Sequence, residues 1–217
     1  MSCQFHYAGH ILGAASISIR LGGRTILFSG DVGRPQDPLF FAPDVPSPMD
    51  YLVVESTYGD RSHPAIDPQM ELAQVIHRTV ERGGIILIPA FTVGRTQSLL
   101  YYLWKLRSAG LIPDIPMYLN SPMATHVTDA VCRFSRLHKL STDECEELRH
   151  VVKFVESAEE SRALNARKGP MLIISASGMA TGGRILHHLK EFAPGAKNCI
   201  LLAGFQAAAT RGRSLLS

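Results

Sequence analysis

Long apolar stretches are missing from this sequence of 217 residues. The chain has no run of about 18 apolar residues, so we expect no membrane-spanning helix and no membrane partner. Its beginning lacks the basic segment and apolar segment of a secretion signal. The four cysteines are scattered and form no CxxC pair, which predicts free thiols and a cytoplasmic location. They are Cys3, Cys132, Cys145 and Cys199.

Strong charge of either sign is also absent. The net charge of +3 and the isoelectric point near 8.7 are only mildly basic. This balance permits a nucleic-acid partner but does not indicate one. The sequence has no internal repeat and no low-complexity segment. Its length is enough for one large domain, or for one domain and part of another.

The first quarter of the chain predicts a β-sheet. Residues 16–21 alternate polar and apolar side chains, which is the period of a half-buried strand. The glycine pair at 22–23 suits a two-residue hairpin turn, and residues 24–28 return as the partner strand. The continuous apolar run at 51–54 predicts a strand that is buried on both faces. Five prolines between residues 32 and 49 predict a loop.

The remainder of the chain predicts alternating strands and helices. Asp67 and Pro68 suit the start of a helix that ends at Gly83, and Ser157 with Glu160 has the spacing of a capping box. Such alternation predicts a doubly wound α/β domain with a mostly parallel sheet. Strands are expected over 85–88, 115–119, 171–174 and 199–202, and helices over 95–109 and 184–192, after Pro122, after Ser141 and after Ser157.

Four loops follow the carboxyl ends of these predicted strands, where α/β sheets bind ligands. Backbone N–H groups at helix N-termini attract phosphate, and arginine adds charge-assisted hydrogen bonds. Small residues also suit tight turns, so one such loop is uninformative, whereas several on one edge favour a track for the phosphates of a polyanion. None has a P-loop lysine or GxGxxG, which disfavours a nucleotide site. The loops are residues 91–95, 120–123, 175–184 and 204–213.

Three residues with metal-ligand side chains occur at strand ends or turns of the first region. Asp31 follows the strand at 24–29, Glu55 follows the strand at 51–54, and His10 lies on a small apolar turn. Each alone is also explained by capping, turn chemistry, a salt bridge or packing. Together they predict one polar edge of a sheet, but zinc needs at least three protein ligands, so they do not define a complete site.

These segments, in their order along the chain, resemble the motifs of metallo-β-lactamase-fold nucleases of the β-CASP group. That group processes RNA or DNA and includes the cleavage and polyadenylation specificity factor nuclease and its bacterial and archaeal exonuclease-like relatives. The resemblance covers essentially the whole chain. It implies part of a metallo-β-lactamase β-sheet over residues 1–63 and a nearly complete, doubly wound β-CASP domain over 64–217. The matching stretches are AGHILGAA, FSGDVGR, VESTYGDRSH, PAFTVGRTQSLLYYL, LNSPMATHVT and SASGMATGGRILHHLKEF.

The resemblance also implies roles for individual residues. His10 is implied to be a zinc ligand, and Asp31 a catalytic carboxylate that bridges two zinc ions. Glu55 is implied to be a catalytic acidic residue that orients a histidine or relays a proton, and His63 is a further candidate for the cleft. Contacts with the nucleic-acid backbone are implied for Arg95, Ser121, Ser177, Gly178, Gly182, Gly183, Arg184 and His188.

Two parts of the family pattern have no counterpart in the sequence. They are the HxHxDH motif, expected before His10, and the histidine motifs expected after the last strand. We therefore expect an internal fragment of a zinc-dependent ribonuclease that hydrolyses single-stranded RNA, inactive alone and a homodimer when intact. The alternatives are a metal-free RNA-binding module and a Rossmann-like protein that binds a small ligand.

Overall fold

The computed structural model describes residues 1–62 and 66–216, which form two compact units. The first unit consists of Met1–Ala65 and Phe134–Ser141, and the second of Ile66–Arg133 and Thr142–Ser217. Nothing in the sequence indicated that the short segment at 134–141 belongs with the first unit. Of the helices in the described residues, none is long and apolar enough to cross a membrane.

The first unit is built on a four-stranded sheet in the order β1-β2-β3-β4. Strands β1 to β3 pair antiparallel, and β4 pairs parallel with β3. The predicted hairpin is confirmed, because Gly22 and Gly23 both have positive φ and Leu21 pairs with Arg24 across the turn. The strands are β1 Ser2–Tyr7, β2 Ala15–Leu21, β3 Arg24–Phe28 and β4 Tyr51–Val53.

Strand β4 differs from its prediction, because it is not buried. Tyr51 and Leu52 are 50% and 55% exposed, and Val53 and Val54 are 51% and 60% exposed. β4 is an edge strand that pairs with β3 through three residues. A continuous apolar run is typical of a strand whose two faces are covered by other helices or strands. The run alone does not determine whether such elements pack against it.

The segment Phe134–Ser141 is held in the first unit by hydrogen bonds. Tyr7 Oη donates to the Leu137 carbonyl oxygen at 2.9 Å, and Lys139 N donates to the Leu39 carbonyl oxygen at 2.7 Å. Leu39 and Leu140 are buried, and so is the His138 side chain. A short 3₁₀ turn, Ser135–Leu137, lies within the segment.

The second unit is built on a five-stranded parallel sheet in the order β7-β6-β8-β5-β9. Its strands are β5 Ile85–Pro89, β6 Met117–Asn120, β7 Lys153–Phe154, β8 Met171–Ser175 and β9 Cys199–Ile200. Its helices are α1 Pro68–Glu81, α2 Arg95–Ser108, α3 Pro122–Arg133, α4 Thr142–His150, α5 Ala158–Asn165, α6 Ile185–Phe192 and α7 Arg211–Ser214. Apart from β7 and α7, these elements were predicted from the sequence.

The strand order makes this sheet doubly wound, as predicted. From β5 the chain passes to β6 and then to β7 in one direction. It then returns to β8, which lies between β6 and β5, and continues to β9 on the far side of β5. Because parallel crossovers are right-handed, this reversal places α2, α3 and α4 on one face and α5 and α6 on the other. The packing agrees, since α4 contacts α2 and α3 while α5 contacts α6.

Both faces of the second sheet are covered, which explains its apolar strands. Ile85 and Leu87 join a core cluster with residues of α5 and α6. Ile86 and Ile88 are fully buried and point the opposite way, because successive side chains of a strand alternate between faces. The predicted capping box also forms, since Ser157 Oγ accepts from Glu160 N at 3.0 Å.

Candidate functional sites

The first unit brings His10 and Asp31 together. The imidazole Nε2 of His10 lies 3.9 Å from the carboxylate Oδ2 of Asp31, and the side chains are 43% and 71% exposed. Two ligands of one tetrahedral zinc ion lie about 3.3 Å apart, so this spacing is close to that of a ligand pair. Both side chains are accessible from solvent.

A close backbone approach positions this pair. Gly33 N donates to the Ala8 carbonyl oxygen at 2.8 Å. A Cβ atom on Gly33 would lie 1.9 Å from the Gly9 carbonyl oxygen, and Gly9 itself has a φ of +65°. Only glycine fits both requirements. The glycines beside His10 and Asp31 therefore hold the two turns against each other.

Glu55 is fixed by backbone N–H groups next to this pair. Its Oε1 accepts from Val32 N at 2.9 Å and its Oε2 from Thr57 N at 3.4 Å. These hydrogen bonds, the one from Val32 first, hold the pKa of Glu55 below its usual range. The carboxylate therefore ties the loop after β3, next to Asp31, to the loop after β4. Its catalytic role stays a prediction.

Zinc fits this edge in part. Imidazole and carboxylate are both zinc ligands, so His10 and Asp31 offer suitable donors. Across residues 1–62 and 66–216, no three His, Cys, Asp or Glu side chains are grouped so that they could hold a metal ion. His63, a further candidate, lies outside these described residues.

The second unit brings the four small-residue loops to one edge, at the carboxyl ends of its parallel strands. Ala90 N donates to the Ser175 carbonyl oxygen at 3.0 Å, and Ser175 Oγ donates to the Asn120 carbonyl oxygen at 2.9 Å. A Cβ on Gly178 would lie 2.6 Å from the Phe91 ring, so Phe91 packs directly on that glycine. We call this edge, residues 90–95, 120–123, 175–184 and 204–212, the loop edge.

Several predicted phosphate contacts have structural tasks within the loop edge. Ser177 Oγ accepts from Thr181 N at 3.1 Å and from Gly182 N at 3.2 Å. Ser121 is buried, and its Oγ accepts from Ala124 N at the start of α3 at 3.3 Å. Gly183 has a φ of +77°, and its Cβ would lie 2.4 Å from the Ala176 carbonyl oxygen.

The two arginines predicted to bind phosphate are placed differently. Arg184 Nη1 donates to Asn120 Oδ1 at 2.8 Å, and its Nη2 donates to the Glu156 carbonyl oxygen at 2.6 Å, so its guanidinium serves internal groups. Arg95 is exposed, and a Cβ on Gly204 would lie 3.7 Å from its Nε. Gly182 has open space where a Cβ would stand. Arg95, whose guanidinium is exposed, is thus the predicted contact most open to a ligand.

His188 does not match its prediction of a direct phosphate contact, because its side chain is fully buried. Its Nε2 lies 2.6 Å from Asn120 Nδ2, and its Nδ1 lies 2.6 Å from Asn165 Oδ1. An amide nitrogen only donates and an amide oxygen only accepts, so the ring is neutral with its proton on Nδ1. Burial, with the nearby charges of His187 and Arg184, lowers the pKa of His188 to about 4.

Asn120 is the residue that sequence reasoning missed. Its fully buried carboxamide also donates to Ser161 Oγ at 2.7 Å, in addition to the bonds with His188 and Arg184. It therefore joins β6 to α5 and α6 beneath the loop edge. The available signal was a polar side chain at the end of an otherwise apolar strand.

Gln206 also stabilises the loop edge through hydrogen bonds to its backbone. Its Nε2 donates to the Gly178 and Gly204 carbonyl oxygens at 3.0 and 3.2 Å, and its buried Oε1 has no hydrogen-bond partner within the described residues. A Cβ on Gly212 would lie 1.6 Å from this Oε1, and Gly212 N donates to the Met179 carbonyl oxygen at 2.9 Å. The residues from 204 to 212 thus clamp the loop at 175–184.

The titration of His188 predicts a pH dependence of stability. The folded chain binds this proton less readily than the unfolded chain, in which histidine titrates near pH 6.5. Stabilisation is therefore complete above about pH 6.5 and is lost as the pH falls towards about 4, by roughly 3 kcal/mol in the free energy of unfolding. Urea unfolding at several pH values will measure this loss in the wild type and in His188→Gln.

The control is His126→Gln, which changes an exposed histidine of α3 that does not act on His188 and should leave the slope of unfolding free energy against pH as in the wild type. In His188→Gln the free energy of unfolding should change less steeply with pH between about pH 6.5 and 4. Equal slopes in the His188 variant and the wild type would show that this histidine does not carry the effect.

The clamp predicts that Gly212 does not tolerate a side chain. In Gly212→Ala the new methyl group overlaps the Gln206 amide, which should lower the free energy of unfolding by about 2 kcal/mol. Gly182→Ala is the matched control, because its methyl group meets open space and should change stability by less than about 0.5 kcal/mol. Thermal or urea unfolding of both variants compares them, and equal losses would contradict the clamp.

Comparison with known proteins connects this geometry to a family. The family described as Beta-Casp domain matches residues 96–215. The chain is 34% identical to the ribonuclease TTHA0252 of Thermus thermophilus, with coverage of 100% of this chain and 52% of the relative.

Two further relatives come from other domains of life. The chain is 34% identical to the transcription termination factor FttA of Methanosarcina mazei, over 97% of this chain and 35% of that protein. It is 30% identical to the endoribonuclease ysh1 of Schizosaccharomyces pombe, over 97% of this chain and 28% of that protein. The chain thus spans about half the length of the first relative, and less of the others.

Proposed function

The chain belongs to the Beta-Casp family of RNA nucleases, and from this membership we propose that it is part of a zinc-dependent ribonuclease that hydrolyses phosphodiester bonds of single-stranded RNA. The observation that carries the proposal is the similarity over the full chain to proteins named as ribonucleases, one bacterial and one eukaryotic. The exposed His10–Asp31 pair supports it, because the two side chains offer the donor types of a hydrolytic metal site.

The first unit would supply part of the metal site. His10 would bind a zinc ion through imidazole Nε2, and Asp31 through its carboxylate. Bound zinc supplies a Lewis acid and an activated water for phosphodiester hydrolysis. Glu55 would act on Asp31 through the backbone, because its hydrogen bond with Val32 N holds the residue next to Asp31. The low pKa of Glu55 suits this anchoring role better than proton transfer at neutral pH.

The loop edge would hold the RNA backbone. Arg95 offers an exposed guanidinium, which forms charge-assisted hydrogen bonds with phosphate. Gly182 lets a phosphate approach the backbone, because no side chain stands in the way. Arg184 would position the edge through Asn120 and the Glu156 carbonyl oxygen. Contacts of this kind recognise the backbone and not the base sequence.

A second candidate is RNA binding without catalysis. It is favoured by the absence of a group of three metal-ligand side chains from residues 1–62 and 66–216. In this case the loop edge would function as proposed, and the first unit would bind no metal.

The RNA contact is tested by Arg95→Gln. Fluorescence anisotropy with 5′-labelled single-stranded RNA should show an affinity about three- to tenfold lower. The slope of the logarithm of the binding constant against the logarithm of the salt concentration should fall in magnitude by about one. Arg78→Gln is the matched control, because Arg78 is also exposed but lies in the last turn of α1. Equal affinity of the two variants would contradict the assignment of the loop edge.

Metal analysis and a cleavage assay separate the two candidates. Because the described residues offer only two grouped ligands, we expect the purified chain to bind zinc weakly and to leave 5′-labelled single-stranded RNA uncut. Asp31→Asn should weaken this zinc binding further. Two tightly bound zinc ions together with RNA cleavage would contradict this expectation, and no response of zinc binding to Asp31→Asn would favour the metal-free module.

A further inference from the structure

Two thiols meet between α3 and α4 of the second unit. Sγ of Cys132 donates to the Cys145 carbonyl oxygen at 3.6 Å, so the two cysteines lie beside each other. One turn away, Arg149 Nη2 and Asp129 Oδ1 form an ion pair at 2.9 Å between the same helices. The two contacts show that α3 and α4 run antiparallel with the cysteines facing each other.

The two thiols differ in solvent exposure and in pKa. Cys132 is half-buried and accessible from solvent, whereas Cys145 is only 4% exposed. The neighbouring Cys145 side chain lowers the pKa of the Cys132 thiol, and the charge of Arg149 adds to this effect. Interaction with Cys132, together with burial, raises the pKa of Cys145. The nucleophilic thiolate therefore forms on the accessible cysteine.

We propose that Cys132 is a site of oxidation by hydroperoxides and that Cys145 resolves it to an intramolecular disulfide. The Cys132 thiolate attacks a peroxide oxygen, the O–O bond breaks, and an alcohol or water leaves after protonation, which gives a sulfenic acid. The Cys145 sulfur then attacks the Cys132 sulfur. The S–S bond forms, the S–O bond breaks, and water leaves with the Cys145 proton. The thiols lose two electrons and two protons in total, and the peroxide is reduced.

The disulfide would close the chain between residues 132 and 145. This loop contains the segment Phe134–Ser141, which packs in the first unit. A cross-link at its base restricts the unfolded chain, so oxidation stabilises the fold. The site lies on α3 and α4 and uses no residue of the loop edge or of the His10–Asp31 pair. Oxidation of this cysteine pair therefore does not depend on the proposed ribonuclease function.

The first test treats the chain with hydrogen peroxide in a Cys3→Ser/Cys199→Ser background, which leaves only this pair of thiols. Intact mass should fall by two hydrogen atoms, about 2 Da, without dimer formation, and peptide mapping should link Cys132 to Cys145. The melting temperature should rise by roughly 5 °C and return to its starting value after reduction. Two persistent thiols, or a Cys132 sulfinic acid with no cross-link, would overturn the proposal.

Single variants separate the roles of the two sulfurs. In Cys145→Ser the reaction should stop at a Cys132 sulfenic acid, which dimedone traps, whereas Cys132→Ser should form no adduct at Cys145. A Cys145 adduct in the second variant would contradict the order of the steps.

A measurement on the unsubstituted chain tests the proposal even if these variants fail to fold. With glutathione redox buffers and peptide mapping, the effective concentration of the two thiols should be about tenfold or more higher in the native chain than in urea. Equal or lower values in the native chain would show that the fold does not bring the thiols together.

Discussion

The carboxamide of Asn120 is the group on which the loop edge of the second unit depends. It is buried at the end of β6, where every unpaired polar atom costs free energy. Its oxygen accepts from Arg184 and its nitrogen donates to Ser161 and His188, so one side chain joins a strand, two helices and a loop. The network is complete only with a neutral imidazole, which ties the arrangement of the edge to the protonation of His188.

The first unit relies on a steric constraint. Gly33 and Gly9 approach so closely that any Cβ on Gly33 would overlap the backbone, and this contact brings the His10 turn to the Asp31 loop. Glu55 completes the edge by accepting from Val32 N and Thr57 N. The same division of work is found in the second unit, where glycines and internal hydrogen bonds shape the loops and few side chains stay available for a ligand. Arg95 is the clearest of these.

Periodicity and capping predicted most of the architecture, because both are local. The Asp67 cap, the Ser157–Glu160 capping box and the strands at β5, β6 and β8 all formed as expected. The prediction for β4 failed because burial depends on what packs against a strand and not on the strand itself. His188 was misplaced for a related reason. His188 lies about one helical turn after the loop at 175–184, and the local sequence is the same whether its side chain points to solvent or into a buried network.

The sequence by itself determined the order of the elements, the doubly wound class, the family and the group of loops that share one edge, because these follow from local patterns and from the chirality of the chain. Only the tertiary structure decided which side chains are available for ligands and which are used to hold the loops. It also decided the Asn120 network, the fit of Gly212 against Gln206, the placement of Phe134–Ser141 and the meeting of Cys132 with Cys145. Each of these joins residues that are distant in the chain or separated by a loop, and their contact depends on packing distances that no local pattern encodes.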